Sequence, residues 1–325
     1  MKQRLFENAT VVKQTGSLYR LTFLPRWEPF SAILSGRLRL REDKLTNPIA
    51  VGDRVNGFWQ PDGYNKKEQA VITEIHPRVN YLIRKSVNLS RQAHIIAANL
   101  DRACIILSAT EPQTPFPFID RFLVTCQAYG VPATIILNKT DELEWAPEYR
   151  SQADQYKDVY QRAGYTVLEV SAKTGEGTDM LAQDLKGKIS LFSGISGVGK
   201  SALANRLDPE LRLRTAPISL AHMTGKHTTT FYEMHPLRSG GFIIDSPGIK
   251  GFGLLEMTRE ELYHYFPEIF AAAASCRFNG CLHAEEPGCA VKAAVEKGLI
   301  PAQRMIATCA CWKIRKEENT APDSP

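Results

Sequence analysis

The run Gly194-Ile195-Ser196-Gly197-Val198-Gly199-Lys200-Ser201 has the residue types and spacing to hold a polyphosphate. It fits G-x-x-x-x-G-K-[ST], directly after the apolar stretch ISLFS and before the helical stretch ALANRL, so strand, loop and helix follow in the order such a loop requires. Glycines let backbone N–H groups turn toward phosphate oxygens, and the helix N-terminus, which includes Ala202, adds the positive end of its dipole. Lys200 is expected at the β- and γ-phosphates, and the Ser201 hydroxyl on Mg²⁺. A Gly-rich turn without chemistry is the competing reading, and it does not account for the Lys-Ser pair.

Asn138-Lys139-Thr140-Asp141 follows the apolar run ATIIL and resembles the N-K-x-D element of GTPases. Guanine presents an N1–H beside a 2-amino group, and a carboxylate only accepts, so Asp141 can take both hydrogen bonds at once. Adenine offers an acceptor at N1 and no 2-amino group, which would leave the carboxylate unpaired. Sites built this way reject the wrong partner by roughly 10⁴ to 10⁵. Asn138 and Lys139 are expected to brace the loop and cover the base, while Ser171-Ala172-Lys173, ending the run TVLEVS, resembles the element that contacts guanine O6.

Asp245-Ser246-Pro247-Gly248 ends the apolar run GFIID as a D-x-x-G element, with Asp245 expected to hold Mg²⁺ through water and the Gly248 N–H to sense the γ-phosphate. An Asp in a turn after a strand is common in isolation. Three further motifs at strand ends give it its meaning. N-K-x-D and S-A-K precede the phosphate loop here, whereas in ordinary GTPases they follow it, so the order is circularly permuted and the segment after D-x-x-G leads into the C-terminal part. The position at which Ras-like GTPases carry the water-orienting Gln is Ile249, which cannot position water. His227, in Gly225-Lys226-His227-Thr228-Thr229-Thr230, is the candidate catalytic residue, and a solvent-exposed loop histidine is the alternative. One threonine of that segment, taken as Thr229, would complete the Mg²⁺ shell.

A second chemistry sits near the C-terminus. Cys276, Cys281, His283 and Cys289 form C-x4-C-x-H-x5-C between two helical segments. Three thiolates and an imidazole suit one closed, structural tetrahedral Zn²⁺ site, which can supply much of the folding energy of a small unit. Cys309 and Cys311 remain alternative ligands or core residues, and Cys104 and Cys126 lie in apolar surroundings as reduced thiols.

These motifs need strands and helices to position them. From residue 102 strand and helix alternate: RACIILSAT, a helix around Asp120 to Tyr129, ATIILN, a helix from about Glu148 to Ala163, then TVLEVS, ISLFSG, a helix after Gly199, and GFIIDS. Such alternation predicts a parallel sheet covered by helices, with strands buried on both faces. Residues 9 to 76 read instead as about five short alternating strands without a helix, the pattern of a small closed barrel of OB type, with an SH3-like barrel as the alternative. Thr258-x-x-Glu261 is a capping box opening a helix to about Ala274, and a second helix is expected over Ala290 to Lys297. The tail EENTAPDSP lacks apolar content. The expected organisation is multidomain: an all-β OB-type barrel with linker over 1–97, a permuted α/β P-loop GTPase over 98–255, and a small helical zinc-binding unit with a disordered tail over 256–325.

Composition agrees with a folded, soluble, cytoplasmic protein. Of 325 residues 43% are hydrophobic and 23% charged, and no apolar stretch is long enough for a membrane span. The net charge of +5 is uneven: residues 1–100 hold 16 Lys or Arg against 8 Asp or Glu, leaving −3 for the rest. A basic barrel can bind a polyanion or simply present a solvated face.

Taken together, the permuted NKTD, SAK, GISGVGKS and DSPG, the GKHTTT segment and the cysteine–histidine cluster resemble the bacterial ribosome-small-subunit-dependent GTPase A family over nearly the whole chain. In that family a hydrophobic residue replaces the Gln, as Ile249 does here, and a histidine equivalent to His227 is implicated in hydrolysis. The resemblance implies a factor in late maturation of the 30S subunit, and a monomer is the default for a protein that must dock on a large particle. It would bind 16S rRNA and hydrolyse GTP to GDP and phosphate faster on the subunit. Trp59 or Tyr64 of the barrel, and Trp312, Lys313, Arg315 and Lys316 near the C-terminus, are candidate rRNA contacts. The alternative is a GTP-controlled RNA-binding switch acting on another RNA or on the large subunit.

Overall fold

The computed structural model describes residues 4–39, 49–61, 68–85, 93–215, 232–246 and 258–308. The N-terminal strands are β1 (Arg4–Thr15), β2 (Leu18–Thr22) and β3 (Phe30–Leu34), then a helical turn α1 (Gly36–Arg39), β4 (Arg54–Pro61) and β5 (Glu68–Ile75). Period-two patterning drives them: in β2, Tyr19 and Leu21 are buried while Leu18 and Arg20 are exposed. The strands run β1-β2-β3-β5-β4, with β3 and β5 parallel, and β4 pairs back onto β1 to close the barrel. Closure removes the free edges that short strands otherwise expose. Phe6, Val11, Leu21, Val55 and Ile72 fill the interior. The expected OB-type barrel is therefore present, with α1 as a departure from the helix-free reading. A hairpin, β6 (Tyr81–Lys85) and β7 (Ala93–Ala98), follows where the sequence suggested only linker.

The central part alternates as predicted: β8 (Arg102–Leu107), α2 (Phe116–Ala128), β9 (Ala133–Leu137), α3 (Glu142–Trp145), α4 (Arg150–Arg162), β10 (Thr166–Glu169), α5 (Thr178–Leu185), β11 (Ile189–Ser193), α6 (Lys200–Leu207), β12 (Glu233–Pro236) and β13 (Phe242–Asp245). The sheet order is β10-β9-β8-β11-β13-β12, parallel except for β12 at the edge. Helix α2 begins at Phe116, ahead of the expected Asp120, because Pro115 and Pro117 suit a helix start. Ile105 and Leu107 pack into the core on one face of the sheet and Cys104 and Ile106 into the core on the other. Burial pushes the Cys104 thiol up to about 12 and the Cys126 thiol well up as well, so both are inert thiols.

Two seams join the parts. Lys13 of β1 pairs with Glu233 of β12, and their side chains form a 2.6 Å ion pair, making barrel and central sheet one hydrogen-bonded surface. Trp27, between β2 and β3, stacks on Phe242 of β13 with ring centroids 5.8 Å apart. The C-terminal part opens with the predicted capping box at Thr258 and Glu261, giving α7 (Arg259–Leu262). The single long helix expected from there to Ala274 is instead broken: a 3-10 turn over Tyr263–Tyr265 precedes α8 (Pro267–Ala273). Pro267 carries no N–H to continue the ladder, which explains the break. Then come α9 (Ala290–Glu296) and helical backbone over 302–308.

This part docks on α2 through Val124 and through a fully buried guanidinium. Arg304 donates to Asp120 Oδ1 at 2.5 Å and to Glu268 Oε1 at 2.6 Å, with Phe266 stacked 4.5 Å from it. Burial pushes the Asp120 carboxyl up to about 6, against the pull of Arg304. Arg304→Ala leaves two carboxylates buried without their cation and should cost about 3–5 kcal/mol of stability. Folded Asp120 already binds its proton more tightly than the unfolded chain does. Losing Arg304 strengthens that, so the deficit should grow as pH rises above about 6. Denaturation at pH 6 and pH 8 checks this; a loss under about 1 kcal/mol at both would contradict it.

Candidate functional site

All the described motif residues emerge at the same end of the central sheet, as neighbouring strands in parallel register require. Phe192 pairs with Asp245, and Leu107 with Leu137, so the loops after β11, β13, β8 and β9 leave side by side. The phosphate loop follows β11. Gly199 caps α6 at φ 93°, and a Cβ there would stand 2.4 Å from the Asn138 amide nitrogen. Gly194 is equally confined, its Cβ position lying 2.3 Å from the Ile106 carbonyl oxygen. Ser201 and Ala202 occupy the first turn of α6, half-buried.

Lys200 folds back into the loop, its ammonium donating to the carbonyls of Gly194 at 3.0 Å and Ile195 at 2.9 Å. Burial pushes its pKa down to about 8, with Asp245 opposing. Burial likewise pushes Asp245 up to about 6, with Lys200 opposing. These two charges are incompletely compensated. A phosphate would raise Lys200 and a divalent cation would lower Asp245, so the site is electrostatically prepared for both. Ser246 fixes the start of the D-x-x-G turn, its hydroxyl donating to the Phe192 carbonyl at 2.6 Å.

The base side is organised by Asn138. Its amide donates to the Val198 carbonyl at 2.8 Å and accepts from the Ala172 N–H at 3.0 Å. NKTD, SAK and the phosphate loop are thus fastened to one side chain. Lys139 has φ 66°, a left-handed conformation uncommon outside glycine, and its ammonium donates to the Glu111 carbonyl at 2.5 Å. Asp141 accepts from the Ser171 hydroxyl at 2.6 Å and lies 3.8 Å from the Lys173 ammonium. A carboxylate held this way, with lone pairs to spare, can accept a paired N–H and NH₂ from a flat base.

Cys276, Cys281, His283 and Cys289 converge, their ligand atoms all within 4.8 Å of one another. His283 Nδ1 is 3.7 Å from Cys276 Sγ and 3.5 Å from Cys289 Sγ. Ligand distances of about 2.0–2.3 Å in a tetrahedron give edges of about 3.5 Å, so the donor set fits a small metal ion. His227, Thr229, Gly248 and Ile249 lie outside the described residues, as do Tyr64, Cys309, Cys311, Trp312, Lys313, Arg315 and Lys316. Trp59 is half-buried against Phe30 and Phe6, with the Arg4 guanidinium 4.8 Å from its ring. Sequence reasoning missed the loop after β8, whose Glu111 carbonyl holds Lys139. Its only signal was a dense run of Ser, Thr and Pro at 108–115.

A phosphate loop, an Asn-Lys-Thr-Asp element and a strand-ending Asp around one sheet end define the class: a P-loop GTPase with permuted motif order. Residues 75–255 match the family model described as RsgA GTPase. The chain is 46% identical to "Small ribosomal subunit biogenesis GTPase RsgA" of Bacteroides fragilis (strain YCH46), covering 94% of this chain and 96% of the relative. It is 46% identical to the protein of the same name from Porphyromonas gingivalis (strain ATCC 33277), covering 97% and 99%. Among solved structures it is similar to YjeQ from Thermotoga maritima, with TM-score 0.74, 30% identity, and 99% and 100% coverage. It is also similar to YloQ, described as a circularly permuted GTPase, with TM-score 0.68, 27% identity, and 99% and 98% coverage. The chain belongs to the RsgA GTPase family, and is a GTP hydrolase.

Asp141→Asn replaces an acceptor with a donor-bearing amide. It should weaken GDP binding by roughly a hundredfold or more while improving binding of xanthosine diphosphate, whose base has an acceptor in place of the 2-amino group. Calorimetric titration decides; undiminished GDP preference would remove Asp141 from the base site.

Proposed function

We propose that this GTPase acts in the maturation of the small ribosomal subunit and hydrolyses GTP faster when bound to it. The observation that carries the reading is the extent of the likeness. Relatives named for small-subunit biogenesis are matched over 96% to 99% of their length, a span that takes in barrel, nucleotide site and metal cluster together. The working division is 1–97, 98–255 and 256–325. The basic N-terminal part contacts 16S rRNA phosphates, and the protein acts as a monomer in the cytoplasm. Consistent with this, among the described residues no helix is long and apolar enough to cross a membrane.

In the site, Gly194 to Ala202 hold the phosphates, Asp141 reads guanine, Asn138 and Ala172 set the loops, and Ser171 and Lys173 flank the base. Lys200 leaves its carbonyl partners for the β- and γ-phosphate oxygens, and the incoming negative charge restores its pKa. Ser201, Thr229 and Asp245 would hold a Mg²⁺ ion, which would supply positive charge against the phosphates. Gly248 senses the γ-phosphate. His227 orients or accepts a proton from the attacking water, the role for which Ile249 has no polar atom. Cys276, Cys281, His283 and Cys289 hold one Zn²⁺, which keeps the short helices of the C-terminal part folded around them.

GTP hydrolysis should rise strongly with isolated 30S subunits and not with 50S subunits, and His227→Ala should lower the stimulated rate by about a hundredfold or more. Absence of 30S stimulation would overturn the subunit assignment, and an unaffected His227→Ala would overturn the catalytic one. For the metal, native mass spectrometry should find one zinc per chain, lost in Cys281→Ser together with thermal stability; a metal-free wild-type chain of normal stability would refute it.

A further inference from the structure

The bond from Lys139 to a backbone carbonyl of a distant loop has no counterpart among the motifs, and it is not isolated. Strands β8 and β9 end in register at Leu107 and Leu137, and the Asn138 N–H donates to the Leu107 carbonyl at 2.9 Å. The segment 108–115 is therefore forced against 138–142. It closes on itself as a small polar ring. The Ser108 N–H donates to Thr114 Oγ1 at 3.1 Å, the Thr114 N–H returns to the Ser108 carbonyl at 3.1 Å, and the hydroxyls of Ser108 and Thr110 are 2.9 Å apart. Ser108, Thr110 and Thr114 are all buried. From outside, the Tyr156 hydroxyl of α4 donates to the Thr114 carbonyl.

Besides the Lys139 bond, a bond between two side chains crosses to the base-reading loop: the Thr110 hydroxyl donates to Glu142 Oε2. Thr110 precedes Glu111, whose carbonyl takes the Lys139 ammonium, and Glu142 follows Asp141. The Thr110–Glu142 bond thus sets the spacing between the carbonyl and the loop that carries Lys139.

We propose that the loop between β8 and α2 is part of the base-binding site, with Thr110 and Glu142 as positioning residues that hold the Glu111 carbonyl where it pins Lys139. This rests on reading Asn138 to Asp141 as the base-binding element. A lysine is among the most flexible side chains, and fixing it only when the nucleotide arrives would subtract from affinity. Anchoring it beforehand removes that loss, leaving its stem ready to cover the face of the base. The base edge is read separately by Asp141, so the two contributions are separable by experiment.

The test compares Thr110→Val, Glu142→Ala and Glu142→Gln, titrated with GDP and with inosine diphosphate, which lacks the 2-amino group. Thr110→Val and Glu142→Ala should weaken both nucleotides by the same factor, about three- to tenfold. They should raise KM for GTP by that factor with kcat within about twofold. Glu142→Gln keeps an amide oxygen to accept from Thr110 and should stay near wild type. Unchanged affinity in Thr110→Val and Glu142→Ala would overturn the proposal. So would a shrinking ratio of GDP to inosine diphosphate affinity, since the loop would then support Asp141 and not Lys139. If Thr110→Val fails to fold, the Glu142 pair carries the comparison alone. Failure of the base-site reading itself would show separately, as a GDP preference that survives Asp141→Asn.

Discussion

The hydrogen bonds of the Asn138 amide are the constraint on which the site depends. One side chain, 2% exposed, donates to the phosphate loop at Val198 and accepts from the Ser-Ala-Lys turn at Ala172. A primary amide offers a donor and an acceptor on one short, planar, uncharged group, which is what the two partners require. Aspartate would place two acceptors there and repel the Val198 carbonyl. Leucine would leave a buried carbonyl and a buried N–H unpaired, each costing about 1–3 kcal/mol. Because the bonds join segments some 30 and 60 residues away in sequence, the geometry of the base site and that of the phosphate site are fixed to each other independently of chain order.

The flanking parts attach to opposite sides of that frame. The barrel reaches the sheet edge through β1 and β12, and lays Trp27 on β13, the strand that ends in Asp245. Both contacts touch β13, which ends in Asp245, or its neighbour β12. The part that carries the Cys/His cluster instead grips α2 through Arg304, beside the strands that lead to NKTD and SAK. The segment that connects D-x-x-G to the C-terminal part lies outside the described residues, whereas the described packing of the C-terminal part is against the half that carries NKTD and SAK.

The legible features were those written in local residue types. The phosphate loop, NKTD and SAK announce their chemistry by spacing, and the structure brings their described members to one sheet end. The barrel was readable from alternation, and the Cys/His cluster from four residues able to ligate a metal in a short span. What escaped was carried by backbone groups or by single distant partners. The carbonyl of Glu111 that holds Lys139 would be the same carbonyl on any other residue. Arg304 reads in sequence as one more solvated cation, yet it is fully buried against Asp120, 184 positions away. Pro267, which has no N–H to continue a helical ladder, marks in the sequence the break that the capping box at Thr258 and Glu261 does not.

The sheet order has a bearing on synthesis from the ribosome. Of the central sheet, strands β8, β9 and β10 leave the ribosome first and can pair at once, but β8 keeps a bare edge of Cys104, Ile105 and Ile106 until β11 is made and pairs with it. An apolar edge of that kind is a template for wrong pairing. The nascent base-reading half can hold no phosphate, because its phosphate loop does not yet exist. Nucleotide therefore cannot chaperone the first half of this domain and can stabilise it only after the loop Gly194 to Ser201 has been added, in contrast to a chain that begins with its phosphate loop.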